Sequence, residues 1–345
     1  MRIILMAFAI LILSCSPKPS FEVAKTLFEE IVEADSTHAE KVICNNWVAF
    51  DVLGKAFEKD SRPSEYYGLF TTFFMASTNR SLSEANNINI SVALEYMGNL
   101  IASTRPGGIV VVSGDENYYL ARFIQEIDKR GTDIAVINLD YLGNREYQKY
   151  IKKHHGIILS RELIERISKT HHKKLLHEIA VKWLIEESGR SVFLGMEFPI
   201  LPFSESYLVG PGRLYSSELT PKTHKEFLLS LFAEGYSFKQ ANKNWDKLSS
   251  WTQSMIRTYS DGLNHTAISW FEMGDTVSAE SLSVIAFERL EYDWQPVKLY
   301  FVLHGNLGME ELNMLIMRVE RYLSVYPDDR RAVSVLADLK TQTKR

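Results

Sequence analysis

In the N-terminal part of the chain, hydrophobic positions recur every three or four residues. Phe21, Ala24, Leu27, Phe28, Ile31 and Val32 carry Glu22, Lys25, Glu29 and Glu30 between them, the stripe of an amphipathic helix. Residues 42–57, 66–77 and 91–102 repeat the pattern, with breaks at Asp60-Ser-Arg-Pro63 and Asn86-Asn87. A stack of short helices is expected up to about residue 103. At Arg105-Pro-Gly-Gly108 the period changes. Ile109-Val-Val-Val112 is too apolar to alternate, as a strand covered on both faces of a parallel sheet would be. Tyr119, Leu120, Phe123, Ile124 and Ile127 then return at helical spacing, and Ile134-Ala-Val-Ile137 forms a second apolar run. This is the pattern of a strand, helix and parallel strand. More helix is expected over 161–187 and a third strand at Ser191-Val-Phe-Leu-Gly195. The segment from Tyr207 to Tyr215, enclosing Gly210-Pro-Gly212, reads as a loop beside the strand ends.

From Pro221 onward helices return. Leu263, Ala267, Trp270, Gly274, Ala279 and Ala286 fall at the offsets of a tetratricopeptide repeat, whose small residues let two antiparallel helices approach. Ser283 occupies an aromatic position of that pattern and Pro296 comes later than its usual proline; a generic helical hairpin is the alternative. Pro327, closing residues 319–326, resembles the end of a second repeat. The expected fold class is α/β plus all-α: a small, parallel, three-stranded, doubly wound sheet flanked by tetratricopeptide-like hairpins. The expected regions are 1–14, 15–20, 21–103, 104–218 and 219–345.

The first two regions concern location. Met1-Arg2, the apolar run from Ile3 to Leu13 and then Ser14-Cys15 read as a bacterial lipoprotein signal. The run is far short of the ~20 residues that span a bilayer. Cleavage before Cys15 and acylation of its sulfur would leave the mature chain lipid-anchored, with Ser16-Pro-Lys-Pro-Ser20 as tether. Without an aspartate after Cys15, the expected place is the outer membrane, facing the periplasm. Cys44 is then the remaining cysteine, so no intrachain disulfide is expected, and its apolar neighbours suggest a buried thiol. A net charge of −4 offers no case for nucleic acid as partner.

Candidate chemistry sits at the ends of the first two strands. Asp115, Glu116 and Asn117 follow one, Asn138 and Asp140 the other, where open parallel sheets bind ligands. Their oxygens suit a sugar hydroxyl or a hard cation; the alternative is that Asp115 caps a helix beginning near Tyr118. No dinucleotide fingerprint follows the first strand, so no cofactor is expected. His154-His155 and His171-His172 with His177 lack the three- or four-residue step of a helical metal pair, and read as a solvated, lysine-rich face.

Gly108-Ile-Val-Val-Val-Ser-Gly-Asp-Glu-Asn-Tyr-Tyr-Leu-Ala-Arg-Phe-Ile-Gln125, followed by Thr132-Asp-Ile-Ala-Val-Ile-Asn-Leu-Asp-Tyr-Leu142, resembles the soluble C-terminal portion of the DUF2723 family of protein O-mannosyltransferase-like glycosyltransferases. Gly212-Arg-Leu-Tyr215 is similar to a later stretch of that family, whose soluble part also runs on into tetratricopeptide helices. Glu116 stands where the family has asparagine and Asn117 where it has aspartate, and the multi-span domain that would carry the glycosyltransfer is absent from this chain. The resemblance therefore implies a fold and a location without a reaction. The expected function is that of a lipid-anchored envelope accessory or scaffold protein that binds a protein partner without catalysis. The alternative is a glycan-binding or glycosyltransfer-associated protein that uses the strand-end loops.

Overall fold

The computed structural model describes residues 19–35, 46–59, 62–78, 84–170, 172–195, 198, 206–216 and 218–343. The expectations for the signal segment with Cys15, and for Cys44, lie outside them. Helices α1 (Phe21–Asp35), α2 (Asn46–Lys59), α3 (Pro63–Thr78) and α4 (Asn87–Ala102) come first. Phe21, Ala24, Leu27, Phe28 and Ile31 of α1 are buried, and Phe28 meets Phe50 and Phe73 edge-on at centroid distances of 5.4 and 4.5 Å. The asparagine pair before α4 is its start signal: Asn86 Oδ1 accepts from Asn89 N at 3.0 Å.

Next come β1 (Ile109–Val112), α5 (Asp115–Phe123) with a π-helical turn at Ile124–Asp128, and β2 (Ala135–Asn138). Both strands are wholly buried. They pair in parallel, from Ile109 opposite Ala135 to Val112 opposite Asn138. Helices α6 (Arg145–His155), α7 (Arg161–Lys169) and α8 (Lys173–Glu187) follow. The helix expected over 161–187 is thus two, and the sequence reading passed over α6, whose start is capped by the Asn144 side chain. β3 (Val192–Gly195) begins beside β1, where Ile109 N donates to Ser191 O at 2.8 Å.

The sheet is larger than expected. β4 (Ser206–Val209) and β5 (Gly212–Tyr215) form an antiparallel hairpin with Val209 opposite Gly212, and the strand order is β2-β1-β3-β5-β4. The expected three-stranded parallel sheet is therefore corrected to a mixed sheet of five strands. The stretch read as a loop is a hairpin because Gly210 adopts φ 54° ahead of Pro211. A tight two-residue turn needs this left-handed geometry, and the strands beside it are too short to show alternation.

The remaining elements are α9 (Pro221–Ser230) with a π-helical turn at Leu231–Gly235, α10 (Lys239–Asn244), α11 (Ser250–Glu272), α12 (Thr276–Arg289), α13 (Gln295–His304), α14 (Met309–Val325) and α15 (Arg330–Gln342). Helix α11 packs on α12, α12 on α13, and α14 on α15. Ala267, Trp270, Ala279 and Ala286 are buried, and Gly274 turns the chain between α11 and α12 at φ 84°.

The chain divides into two compact units. Among the described residues, one comprises those up to 90 and from 104 to 193; the other comprises those of 91–103, 194–198 and 206–343. The core of the second unit is tied by polar bonds from α4. Glu95 accepts from Gln240 N and Ala241 N at 3.0 and 3.1 Å, which satisfies the start of α10, and Ser103 Oγ meets Tyr236 Oη at 2.6 Å.

Candidate functional site

The loop after β1 turns on Gly114, whose φ of 83° and ψ of 155° suit a residue without a Cβ. Gly114 is also the residue before α5 and brings no side chain to cap it. Its own amide is held from the loop after β2: Gly114 N donates to Asp140 Oδ2 at 2.9 Å. Asp115, for which capping of a helix near Tyr118 was the alternative reading, is the first residue of α5 and not its cap. Its carboxylate accepts from Tyr141 Oη at 2.5 Å. Trp47 fixes that tyrosine and its neighbour, with centroids 5.6 Å from Tyr141 and 5.0 Å from Tyr147.

Asn138 ends β2 fully buried. Its Oδ1 accepts from Asp140 N at 3.1 Å, its Nδ2 donates to Gly114 O at 3.3 Å, and its backbone N–H donates to Tyr147 Oη at 3.0 Å. Asp140 gathers the most donors. Beyond Gly114 N, Lys173 Nζ lies 3.0 Å from Oδ2, Ser113 Oγ 3.4 Å from Oδ2, and His177 Nε2 2.7 Å from Oδ1. Asn117 Nδ2 donates to Ser113 O at 3.3 Å, and Glu116 stands in the first turn of α5.

Asp115, Asn138 and Asp140 thus face donors supplied by the chain itself. Asp140 and Tyr141 on one side, with Ser113, Gly114 and Asp115 on the other, staple the loop after β1 to the loop after β2. Burial raises the Asp140 carboxyl, but hydrogen bonds from His177, Lys173 and Gly114 outweigh it and hold it at about 2. A carboxyl whose pKa is lower folded than unfolded stabilises the fold above its unfolded value of 3.8, and that contribution is lost as pH falls through about 2. Asp140→Asn is therefore expected to lower stability at neutral pH and to flatten its decline between about pH 4 and 2, read by chemical unfolding across that range. An unchanged acid limb would show that Asp140 is not the group responsible.

Lys173 and His177 are the partners that sequence reasoning missed. They lie four residues apart on α8, hence on one face, whereas the spacing weighed was that from His171 and His172. His177 is turned inward, with 14% of its side chain exposed, so it does not belong to a solvated face; His171 lies outside the described residues. Among the described residues no three metal-ligating side chains cluster. His155 is pushed down to about 3 by burial, then by the charges of Arg122, His154 and Arg190.

Compared with family models, with curated proteins and with solved structures, the chain matches none of them.

Proposed function

We propose that this chain is a lipid-anchored component of the bacterial cell envelope that holds a partner protein and catalyses no reaction. The observation that carries the reading is the exposure of four apolar side chains around the turn from α11 to α12. Ile268 and Phe271 at the end of α11, Met273 in the turn and Val277 at the start of α12 are exposed by 45, 44, 73 and 73%. Apolar side chains gathered in this way on a folded surface mark contact sites, and helical hairpins of the tetratricopeptide kind typically bind proteins. A glycan site would need Asp115 and Glu116 to converge with Asn138 on open space. The bond from Tyr141 to Asp115 and the burial of Asn138 favour the scaffold reading. The order β1, α5, β2 agrees with the resemblance to the soluble portion of the O-mannosyltransferase-like family, which likewise implies an envelope setting without a reaction.

The membrane attachment rests on Cys15. Two or more acyl chains, at ~0.8 kcal/mol per buried methylene, make a stable anchor. Cys15→Ser is expected to move the protein from the membrane fraction to the soluble fraction and to abolish labelling by a fatty-acid probe. Affinity capture from detergent-solubilised envelope, with the mature protein as bait, is expected to recover a defined protein complex. A Phe271→Ser, Met273→Ser double variant should lose it. Consistent recovery of a glycan alone, or turnover of a sugar donor by the purified protein, would overturn the reading.

A further inference from the structure

Helix α6 carries a one-sided row of cations. Arg145, Lys149, Lys152 and Lys153 recur at steps of three, four and seven residues, hence on one face, and all four are exposed. Tyr147, Tyr150 and Ile151, on the opposite side, are buried. The acid of this helix is Glu146, and it is paired with Lys149 at 2.7 Å. Among the described residues no carboxylate pairs with Arg145, Lys152 or Lys153. The helix dipole favours the two lysines in the last turn but not Arg145 in the first, so it does not account for the row. The excess also extends beyond the helix. Residues 145–182 hold ten lysines and arginines against four glutamates, in a chain whose net charge is −4, and all ten cations are exposed. A surface of one sign favours a partner of the other.

The position of the row relative to the tether selects that partner. Trp47, Asp51 and Lys55 lie at four-residue steps along α2. The Trp47 ring is 5.0 and 6.2 Å from those of Tyr147 and Tyr150, and Asp51 Oδ2 lies 3.7 Å from His154 Nε2. Helices α2 and α6 therefore run side by side in the same direction, and the exposed Lys55 comes one turn after Asp51, towards the end of α6 that carries Lys152 and Lys153. Phe57, two residues on, is 5.1 Å from Tyr66, which is 4.9 Å from Phe21, the first residue of α1. The chain from Cys15 thus enters the first unit at the same end as these lysines. Six residues separate Cys15 from Phe21, a reach of about 20 Å at most, and Lys18 is the one charged residue among those between them. Glu58 and Glu65 at this end are matched by Lys129 at 3.3 Å and Arg62 at 2.6 Å. Ile158, just past α6, is 63% exposed. Cations beside an exposed apolar side chain are the combination that contacts with a lipid surface use.

We propose that the cationic row of α6, with Lys55 and Ile158, docks the first unit on the anionic lipid headgroups of the membrane that holds the anchor. The proposal rests on the lipid-anchor part of the functional reading and names the headgroup chemistry and the face that meets it. Each exposed cation at an anionic surface strengthens binding about fivefold. A few of them orient the unit, but at the dilution of a cell lysate they do not retain a chain without acyl groups, in keeping with release of the Cys15→Ser form.

The test is sedimentation of the mature chain bearing Cys15→Ser with excess vesicles at low ionic strength. The vesicles are an equal mixture of phosphatidylglycerol and phosphatidylcholine, or phosphatidylcholine alone. Binding to the anionic vesicles is expected, weakening as salt is added, with little binding to phosphatidylcholine. A Lys55→Gln, Lys152→Gln, Lys153→Gln variant should bind at least about tenfold more weakly. Lys239→Gln, Lys243→Gln, Lys247→Gln removes the same charge from exposed positions of the second unit and should bind as the parent does. All six lysines are exposed, so both variants should melt at the parent's Tm, and the salt dependence of the parent tests the proposal without any variant. Three results overturn it: no binding to anionic vesicles, equal binding to phosphatidylcholine, or equal losses in the two variants. Fatty-acid labelling of Cys15 without vesicle binding removes the docking face and leaves the anchor. Vesicle binding through these lysines without labelling removes the anchor alone.

Discussion

Gly262→Ala is expected to destabilise the second unit by roughly 3 kcal/mol, the upper part of the range for overpacking a tight interior. Inside an ordinary helix the same change stabilises by about 0.5–1 kcal/mol, because alanine loses less backbone freedom on folding. Gly262 is buried in the middle of α11, against the turn of the β4–β5 hairpin. A Cβ placed on it would overlap the carbonyl oxygen of Gly210. The obstacle is backbone held in a tight turn, and it cannot rotate away as a flexible side chain would. Gly68 in α3 is the internal comparison, since a Cβ there meets nothing within 4 Å. Gly68→Ala should raise stability by a few tenths to about 1 kcal/mol, so the two variants should move a denaturant midpoint in opposite directions. A neutral or stabilised Gly262→Ala would mean that the hairpin turn does not sit on α11 as described.

Arg122→Met should cost about 3–5 kcal/mol, the usual penalty for removing one partner of a buried ion cluster. Arg122 is 5% exposed, and its Nη2 meets Asp51 Oδ1 at 2.5 Å and Glu126 Oε1 at 2.7 Å. Tyr150 Oη also donates to Asp51, at 3.1 Å. Without the guanidinium, two carboxylates remain near each other, 19 and 20% exposed, with Lys129 as the remaining cation that lowers Glu126. Burial already raises the Glu126 carboxyl, and Arg122 is the main charge that lowers it. A carboxyl whose pKa is higher folded than unfolded destabilises the fold once pH rises above the unfolded value of 4.5. The deficit of Arg122→Met should therefore be largest at neutral pH and narrow in acid, as Glu126 takes up a proton. Adding Asp51→Asn and Glu126→Gln to Arg122→Met should recover most of the loss, because no unpaired charge is then buried. Urea unfolding of the three proteins at about pH 7 and pH 5 reads both effects. A deficit independent of pH would indicate lost packing as the cause.

Much of the architecture was legible from residue periodicity. The helical stripe from Phe21, the apolar runs at Ile109 and Ile134, and the small residues around Trp270 each mark an element or a packing face through neighbours a few positions apart. The caps were equally local, although Asn86 read as a break and is in fact a start. The β4–β5 hairpin was missed because its strands are four residues each and its Gly-Pro turn looks the same as that of a loop until φ is known. At the strand ends, Asp115, Asn138 and Asp140 lie in adjoining loops, as expected from the ends of two paired strands. Their partners could not be read, since Asp140 meets a lysine 33 residues away and a histidine 37 residues away.

The chain's own pattern was enough to mark α1 to α4 and the buried strands β1, β2 and β3, and to show that β1 and β2 pair around a helix with Asp115, Asn138 and Asp140 at their ends. These follow from backbone hydrogen bonding and from burial of one face, both set within a few residues. Tertiary structure alone decided that Asp140 is held by Gly114, Lys173 and His177, that Arg122 joins Asp51 to Glu126, and that Gly262 must have no side chain. Each of these depends on which distant segments come within a few ångströms, and that distance is set by the packing of whole elements.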